Sequence, residues 1–236
     1  MAEQRTVEQV ELRSSGQWLV DTSIPAPATR LRADGGASSV YLALKRASDI
    51  VLALIGIILC LPIWIAVAVV IKLDSPGPVL FRQRRPGQFG VPFLILKFRT
   101  MFTDAEERLD EVLSRNREED DSLIRVEDDP RITRVGYWLR KWSIDETPQF
   151  FNVLKGEMSI VGPRPISRPI PDPRGYMRLD ARPGITGVWQ TNGRKLTDCK
   201  HMLDLDMQYL EDRCLRLDLA IVFRTFSAVL RAEGAE

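Results

Sequence analysis

The chain has 236 residues, longer than a common single domain and too short for two large ones. At 44% hydrophobic and 28% charged it can bury a core, while 33 Lys+Arg against 32 Asp+Glu leave a formal charge of +1 and remove the simplest case for a nucleic-acid partner. A single histidine, His201, argues against His-based triads and multi-histidine metal sites, and three cysteines (Cys60, Cys199, Cys214) without a C-x-x-C pair cannot build a disulfide framework.

Residues 1–40 are polar and rich in Pro, Gly and Ser, and read as a mobile extension with a short strand or helix around 7–20. Residues 41–75 form a membrane segment. Within it, positions 50–71 carry no charge, and as a straight helix that run measures about 33 Å, close to the hydrocarbon thickness of a bilayer. Pro62 falls near its middle and deletes one helical hydrogen bond. Arg30, Arg32, Lys45 and Arg46 precede the run, while Lys72, Arg82, Arg84 and Arg85 follow it. Orientation rules work on asymmetry of charge, and here there is none. The residues alone leave two arrangements open: a single span, or a helix that bends at Pro62 and leaves on the face it entered.

The remaining region, 76–236, opens with a Ser-Pro-Gly-Pro turn. Residues 79–81 and 91–98 are predicted strands flanking a basic turn, RQRRPGQFG. Residues 103–129 are acidic and read as solvated helix and loop. Helical spacing returns from Ile132 through Leu139 and Trp142, and again from Phe150 to Leu154. Residues 162–194, dominated by Gly, Pro and Arg, are predicted to be largely loop. Residues 203–230 are predicted to form one long amphipathic helix, against the core or a bilayer interface. The fold class is α/β, mostly helical, with a small sheet.

The densest chemistry lies in Ser143-Ile144-Asp145-Glu146-Thr147-Pro148-Gln149. Two readings compete. Ser143 and Glu146 stand at capping-box spacing and Asp145 is itself a favoured cap, so the pair could simply start a helix. The same geometry suits catalysis, because adjacent side chains on a helix diverge by about 100°. One carboxylate could attack phosphorus while the other holds a metal ion. Lys97 and Arg99 (in KFRTM), Arg140, Arg164 (in GPRP), Arg182 (in RPGITG) and Arg194 (in NGR) recur nearby in turn contexts. Rigid arginines beside acidic residues point to a diphosphate substrate. Asp204-Leu205-Asp206 resembles a D-x-D metal motif but sits in a helical pattern. No Walker loop or G-x-G-x-x-G occurs.

In order, the apolar run with its central proline, KFRTM (97–101), SIDETPQFFNVLKGEMSIVGPRP (143–165), RPGITG (182–187) and NGR (192–194) resemble the bacterial sugar transferase family, the monotopic phosphoglycosyl transferases, over roughly residues 41–230. The likeness is to the small form of the family. It implies a re-entrant membrane helix, a compact cytoplasmic catalytic domain with amphipathic interface helices, and residence at the bacterial inner membrane. It implies transfer of a sugar-1-phosphate from a UDP-sugar to a polyprenyl (undecaprenyl) phosphate, with release of UMP and a requirement for Mg²⁺. By this resemblance Asp145 is the nucleophile that carries a covalent phospho-sugar intermediate, Glu146 supports the metal with Asp145, and Lys97, Arg99, Arg140, Arg164, Arg182 and Arg194 contact phosphates or substrate. The family's helix bends at Ser-Pro, where this chain has Leu61-Pro62. A bilayer and a homodimeric partner are compatible with the amphipathic surface; a non-catalytic scaffold and a pyrophosphohydrolase are the competing classes.

Overall fold

The computed structural model describes residues 9–12, 18–21, 37–108, 129–166, 170, 172–192 and 199–230. Most of the acidic stretch and Arg194 lie outside them. In the N-terminal extension β1 (Gln9–Leu12) and β2 (Trp18–Asp21) pair antiparallel.

The apolar run lies within α1, Ser39–Asp74, a helix of 36 residues that continues through Pro62. At 1.5 Å per residue it is about 54 Å long. The Ser38 side chain caps its start, accepting from the Tyr41 N–H. One stripe of α1 faces the rest of the protein: Ala53, Trp64, Val67 and Ile71 are buried, and Gly56 abuts the Phe150 ring so closely that a Cβ there would lie 2.7 Å from it. The spacing of three and four residues is that of a single helix face. The opposite face leaves Leu54, Ile58, Leu59, Ile65, Val69 and Leu73 exposed.

Both ends of α1 are tied to the same body. Near its start Lys45 meets Asp218 at 3.0 Å, Arg46 donates to the Val153 and Leu154 carbonyls, and buried Asp49 accepts from Ser159 Oγ and the Ile160 N–H. At its end Asp74 accepts from the Val135 N–H, while Arg99 grips Ser75.

β3 (Leu80–Pro86) and β4 (Pro92–Phe98) form an antiparallel hairpin. The strand therefore extends through the basic segment expected to be a turn; only residues around Gly87–Gly90 turn. In β3 the exposed Arg82 and Arg84 alternate with the less exposed Gln83 and Arg85, the period of a strand. Then come α2 (Arg134–Lys141), a 3-10 helix (Ile144–Gln149) and α3 (Phe150–Lys155). The stretch expected to be loop contains β5 (Ser159–Val161) paired in parallel with β6 (Gly184–Thr186) and two short helices, α4 (Pro173–Met177) and α5 (Val188–Thr191). The C-terminal helix is two: α6 (Cys199–Asp212) and α7 (Leu215–Leu230).

Three apolar clusters unite these parts. Ala53 of α1 joins Phe93, Ile95, Val153, Met158 and Ile221. Trp64, Val67 and Ile71 join Phe98 and Leu139. Ile166, Ile170, Trp189, Met202 and Leu203 close the far side.

Candidate active site

The carboxylate pair sits in the 3-10 helix, entered through a sharp corner. Ser143 adopts a left-handed conformation (φ 53°, ψ 23°), unusual for a residue with a Cβ, and its side chain makes no capping hydrogen bond. The capping box is therefore not formed. Asp145 lies inside the helix rather than at its cap, and Pro148 is buried within it. With the capping reading gone, the acidic pair is left with a role set by its surroundings.

Two devices bring the pair against β4. Asn152, fully buried in α3, donates from Nδ2 to the Leu94 carbonyl at 2.7 Å and accepts at Oδ1 from the Leu96 N–H at 3.1 Å. It acts as a short strand edge that fixes the helix to β4. On the other side α2 packs so tightly on Thr100 that a Cβ at Gly136 would fall 2.0 Å from the Thr100 carbonyl oxygen. Lys97, at the end of β4, thereby reaches the dyad, and its ammonium lies 2.7 Å from Glu146 Oε1.

Arg164 Nη2 stands 3.5 Å from the same Glu146 oxygen, with its guanidinium 5.6 Å over the Trp189 ring. Arg140 donates from Nε to Thr100 Oγ1 at 2.9 Å. Burial lowers its pKa, and the negative charge of Asp145 acts in the opposite direction. Asp145 itself is buried, 7% exposed. Burial first, and then repulsion from Glu146, push its carboxyl up to about 6, with Lys97, Arg140 and Arg164 pulling the other way. The result is a buried carboxylate that ionises near neutrality among three cations.

Of the expected site residues the structure brings together Asp145, Glu146, Lys97, Arg140 and Arg164. Two others are engaged elsewhere. Arg99 is buried and spends three donors on Ser75 Oγ, the Ser75 carbonyl and the Pro78 carbonyl, holding the end of α1. Arg182 has Arg46 and Asp49 as its charged neighbours, while its backbone packs on Gly162. Arg194 lies outside the described residues, and Pro62 lies within α1. The D-x-D acids are both paired with arginines: Asp204 with Arg174, and Asp206 with Arg178.

Arg85 was not anticipated from sequence. It donates to Gln83 Oε1 and the Pro165 carbonyl, and burial together with the charge of Arg164 pulls its pKa down to about 10. Glu146 opposes that shift, which puts Arg85 on the perimeter of the site. β3 alternates in exposure, but its run Arg82-Gln83-Arg84-Arg85 carries no alternation of residue type that could have singled it out. Trp64 was equally hidden: from within the apolar run its indole N–H donates to Thr147 Oγ1 at 2.8 Å, two residues from Asp145.

The structure thus sets a buried carboxylate among Lys and Arg side chains and joins it to a helix long and apolar enough to cross a membrane. The family model for bacterial sugar transferases matches residues 40–232, and the chain belongs to that family. It is 37% identical over 218 residues to the exopolysaccharide production protein ExoY of Sinorhizobium fredii, covering 90% of this chain and 94% of that protein. It is 41% identical over 202 residues to the galactosyl transferase CpsE of Streptococcus agalactiae, covering 83% of this chain and 44% of the relative. Over 199 residues it is 40% identical to the UDP-glucose:undecaprenyl-phosphate glucose-1-phosphate transferase of Escherichia coli, covering 80% and 40%. The chain thus spans less than half the length of those last two relatives.

Proposed function

We propose that this protein transfers a sugar-1-phosphate from a UDP-sugar to undecaprenyl phosphate, in the first membrane step of an exopolysaccharide, capsule, O-antigen or glycoconjugate. The observation that carries the reading is the position of Asp145: buried, ringed by Lys97, Arg140 and Arg164, and joined through Thr147 to Trp64 of the apolar helix. The names of relatives from Escherichia coli and Salmonella typhimurium, which act on undecaprenyl phosphate, support the choice of acceptor.

The reaction runs in two displacements. An Asp145 carboxylate oxygen attacks the sugar-bearing phosphorus of the donor, and the bond from that phosphorus to the bridging oxygen breaks. UMP leaves with the bridging oxygen and the electron pair. An oxygen of the polyprenyl phosphate then attacks the same phosphorus, and the Asp145–phosphorus bond breaks to regenerate the carboxylate. Covalent catalysis lets a water-soluble donor and a bilayer-bound acceptor use one pocket in turn. Arg164, Lys97 and Arg140 offset the negative charge of an incoming diphosphate as a carboxylate approaches it.

Mg²⁺ fits the residues present. Among the described residues no group of three or more His, Cys, Asp or Glu could hold a metal, but Mg²⁺ is commonly held by one or two carboxylates together with substrate phosphates. Asp145 and Glu146 supply such a pair, and the mutual repulsion that raises the Asp145 pKa is what a cation relieves. Glu146, with Asp145, would hold the ion, which when bound neutralises phosphate charge.

On the same reading α1 has both ends on the cytoplasmic face of the bilayer; the helix runs unbroken through Pro62, so the expected hairpin bend is not part of its described form. Lys45 and Asp74 at its two ends are bonded to one body, which is hard to reconcile with ends on opposite faces. Exposed Tyr137, Trp138 and Trp142 on and beside α2, and Leu219, Phe223 and Phe226 on α7, extend its apolar surface as interfacial anchors.

The test is UMP release by purified, detergent-held protein given Mg²⁺, undecaprenyl phosphate and a panel of UDP-sugars, run with and without the lipid. Lipid-dependent release with one or two donors, lost in Asp145→Asn by about four to six orders of magnitude, is the expected result. Equal release without lipid would replace the transferase by a pyrophosphohydrolase. Folded protein silent on every donor would favour a scaffold.

A further inference from the structure

Arg164 stands between Pro163 and Pro165, neither of which has an N–H. Gly162 anchors the start of the segment by donating to the Thr186 carbonyl at 2.9 Å, and on either side of Arg164 the chain is held by donors that reach its carbonyls from outside. Gly184 N–H takes the Pro163 carbonyl at 2.9 Å, and Arg85 Nη1 approaches the Pro165 carbonyl at 3.4 Å. The carbonyl of Arg164 itself is taken by Arg178 Nη2 at 2.7 Å.

Arg178 is an unusual donor for that purpose. It opens the 3-10 turn Arg178–Asp180 after α4 and is only 2% exposed. The same Nη2 lies 2.6 Å from Asp206 Oδ2 of α6, a carboxylate almost as deeply buried. Nε and Nη1 have no hydrogen-bond partner among the described residues. Taking such a pair out of water costs about as much as its attraction returns, and orphaned buried donors add to the cost. Burial raises the Asp206 pKa, and Arg178 acts in the opposite direction. An apolar pair of equal volume would fill this space without those costs. It could not donate to the Arg164 carbonyl.

We propose that Arg178, oriented by Asp206, is a positioning residue for the transferase: it fixes the backbone from which the Arg164 guanidinium reaches Glu146. The inference rests on the functional reading above. The reach leaves little slack, since Arg164 Nη2 is already 3.5 Å from Glu146 Oε1. A backbone shift of about 1 Å, enough to cost roughly 100-fold at a reacting centre, would take the guanidinium out of range.

A double-mutant cycle decides it, with kcat/KM for lipid-dependent UMP release and the unfolding temperature measured on every protein. Arg178→Met should lower kcat/KM by roughly 100-fold in the native background but by no more than about twofold in Arg164→Ala, because no guanidinium is left to misplace. Arg178→Lys keeps the charge opposite Asp206 and guards against misfolding of the methionine variant. It should unfold close to the native temperature and show a smaller loss, again only when Arg164 is present. Equal losses in both backgrounds, or no loss from folded protein in either, would overturn the proposal. If Arg164→Ala alone left activity intact while Asp145→Asn abolished it, Arg164 would fall out of the active site and take this inference with it. The transferase reading would stand.

Discussion

Under the proposed mechanism Asp145 meets two opposed demands: a nucleophile must be ionised, and a buried carboxyl resists ionisation. Its pKa near 6 is the outcome, with burial and Glu146 pushing up and Lys97, Arg140 and Arg164 pulling down. The ordinary value is 3.8, so burial extends the protonated form to higher pH than in a free side chain, and the carboxylate the mechanism needs is lost as pH falls through about 6. The profile of kcat/KM for the donor should therefore fall on its acid side near pH 6. Lys97→Met removes a charge that stabilises the carboxylate, so the residual activity should show this limb displaced to higher pH; a limb that stays fixed or moves down would contradict the assignment. Arg99 makes the opposite kind of prediction. Its bonds go to Ser75 and Pro78, away from the dyad. Arg99→Met should lower stability by about 2–4 kcal/mol through buried acceptors left unpaired, with the KM for the UDP-sugar unchanged. The sequence pointed to the carboxylate pair and to several arginines in turns. It could not say which arginine faces a phosphate and which faces backbone carbonyls, because that depends on where distant chain segments meet.

The elements show where local pattern carries and where it fails. α1 was legible as a long uncharged run, β4 as a short apolar strand, and α2 from apolar residues at helical spacing. β3 was legible only at its start, in the strand expected at 79–81, since the Arg and Gln that follow are poor strand markers. The parallel pair β5–β6 joins segments more than twenty residues apart in sequence, so no local window contains the pairing that makes either a strand. α6 and α7 share an apolar stripe but break at Arg213-Cys214, where helical spacing alone gives no warning. The coupling of α1 to the 3-10 helix runs through the Trp64–Thr147 hydrogen bond, with the Trp64 ring also packed on Phe98 and Phe151. Trp64→Phe keeps an aromatic ring there and removes the donor. It should lower kcat by about fivefold, the scale of one lost hydrogen bond of roughly 1 kcal/mol, while the protein remains folded. An unchanged kcat would show that the membrane helix does not hold the dyad through this contact.

For the molecule as a whole, the two ends of α1 determine how the catalytic body meets the bilayer. Lys45 is bound to Asp218 and Asp74 to the Val135 N–H, and the proposed topology places both ends on one side. In a background with Cys60, Cys199 and Cys214 replaced by Ser, single cysteines at Ala47 and Lys72, both exposed, should react with an impermeant maleimide only from the cytoplasmic face of oriented membrane vesicles. Labelling from opposite faces would establish a spanning helix. The account rests most heavily on Asp145 as a covalent nucleophile, and that can be read directly. Protein mixed with its UDP-sugar and Mg²⁺ in the absence of lipid, then quenched in acid, should release close to one UMP per active site. The tryptic peptide of residues 142–155 should gain the mass of one sugar phosphate, localised by fragmentation to Asp145 and discharged on adding undecaprenyl phosphate. An unmodified peptide with no UMP burst, from enzyme that turns over fully once lipid is added, would mean direct transfer between the two substrates and would contradict the central claim.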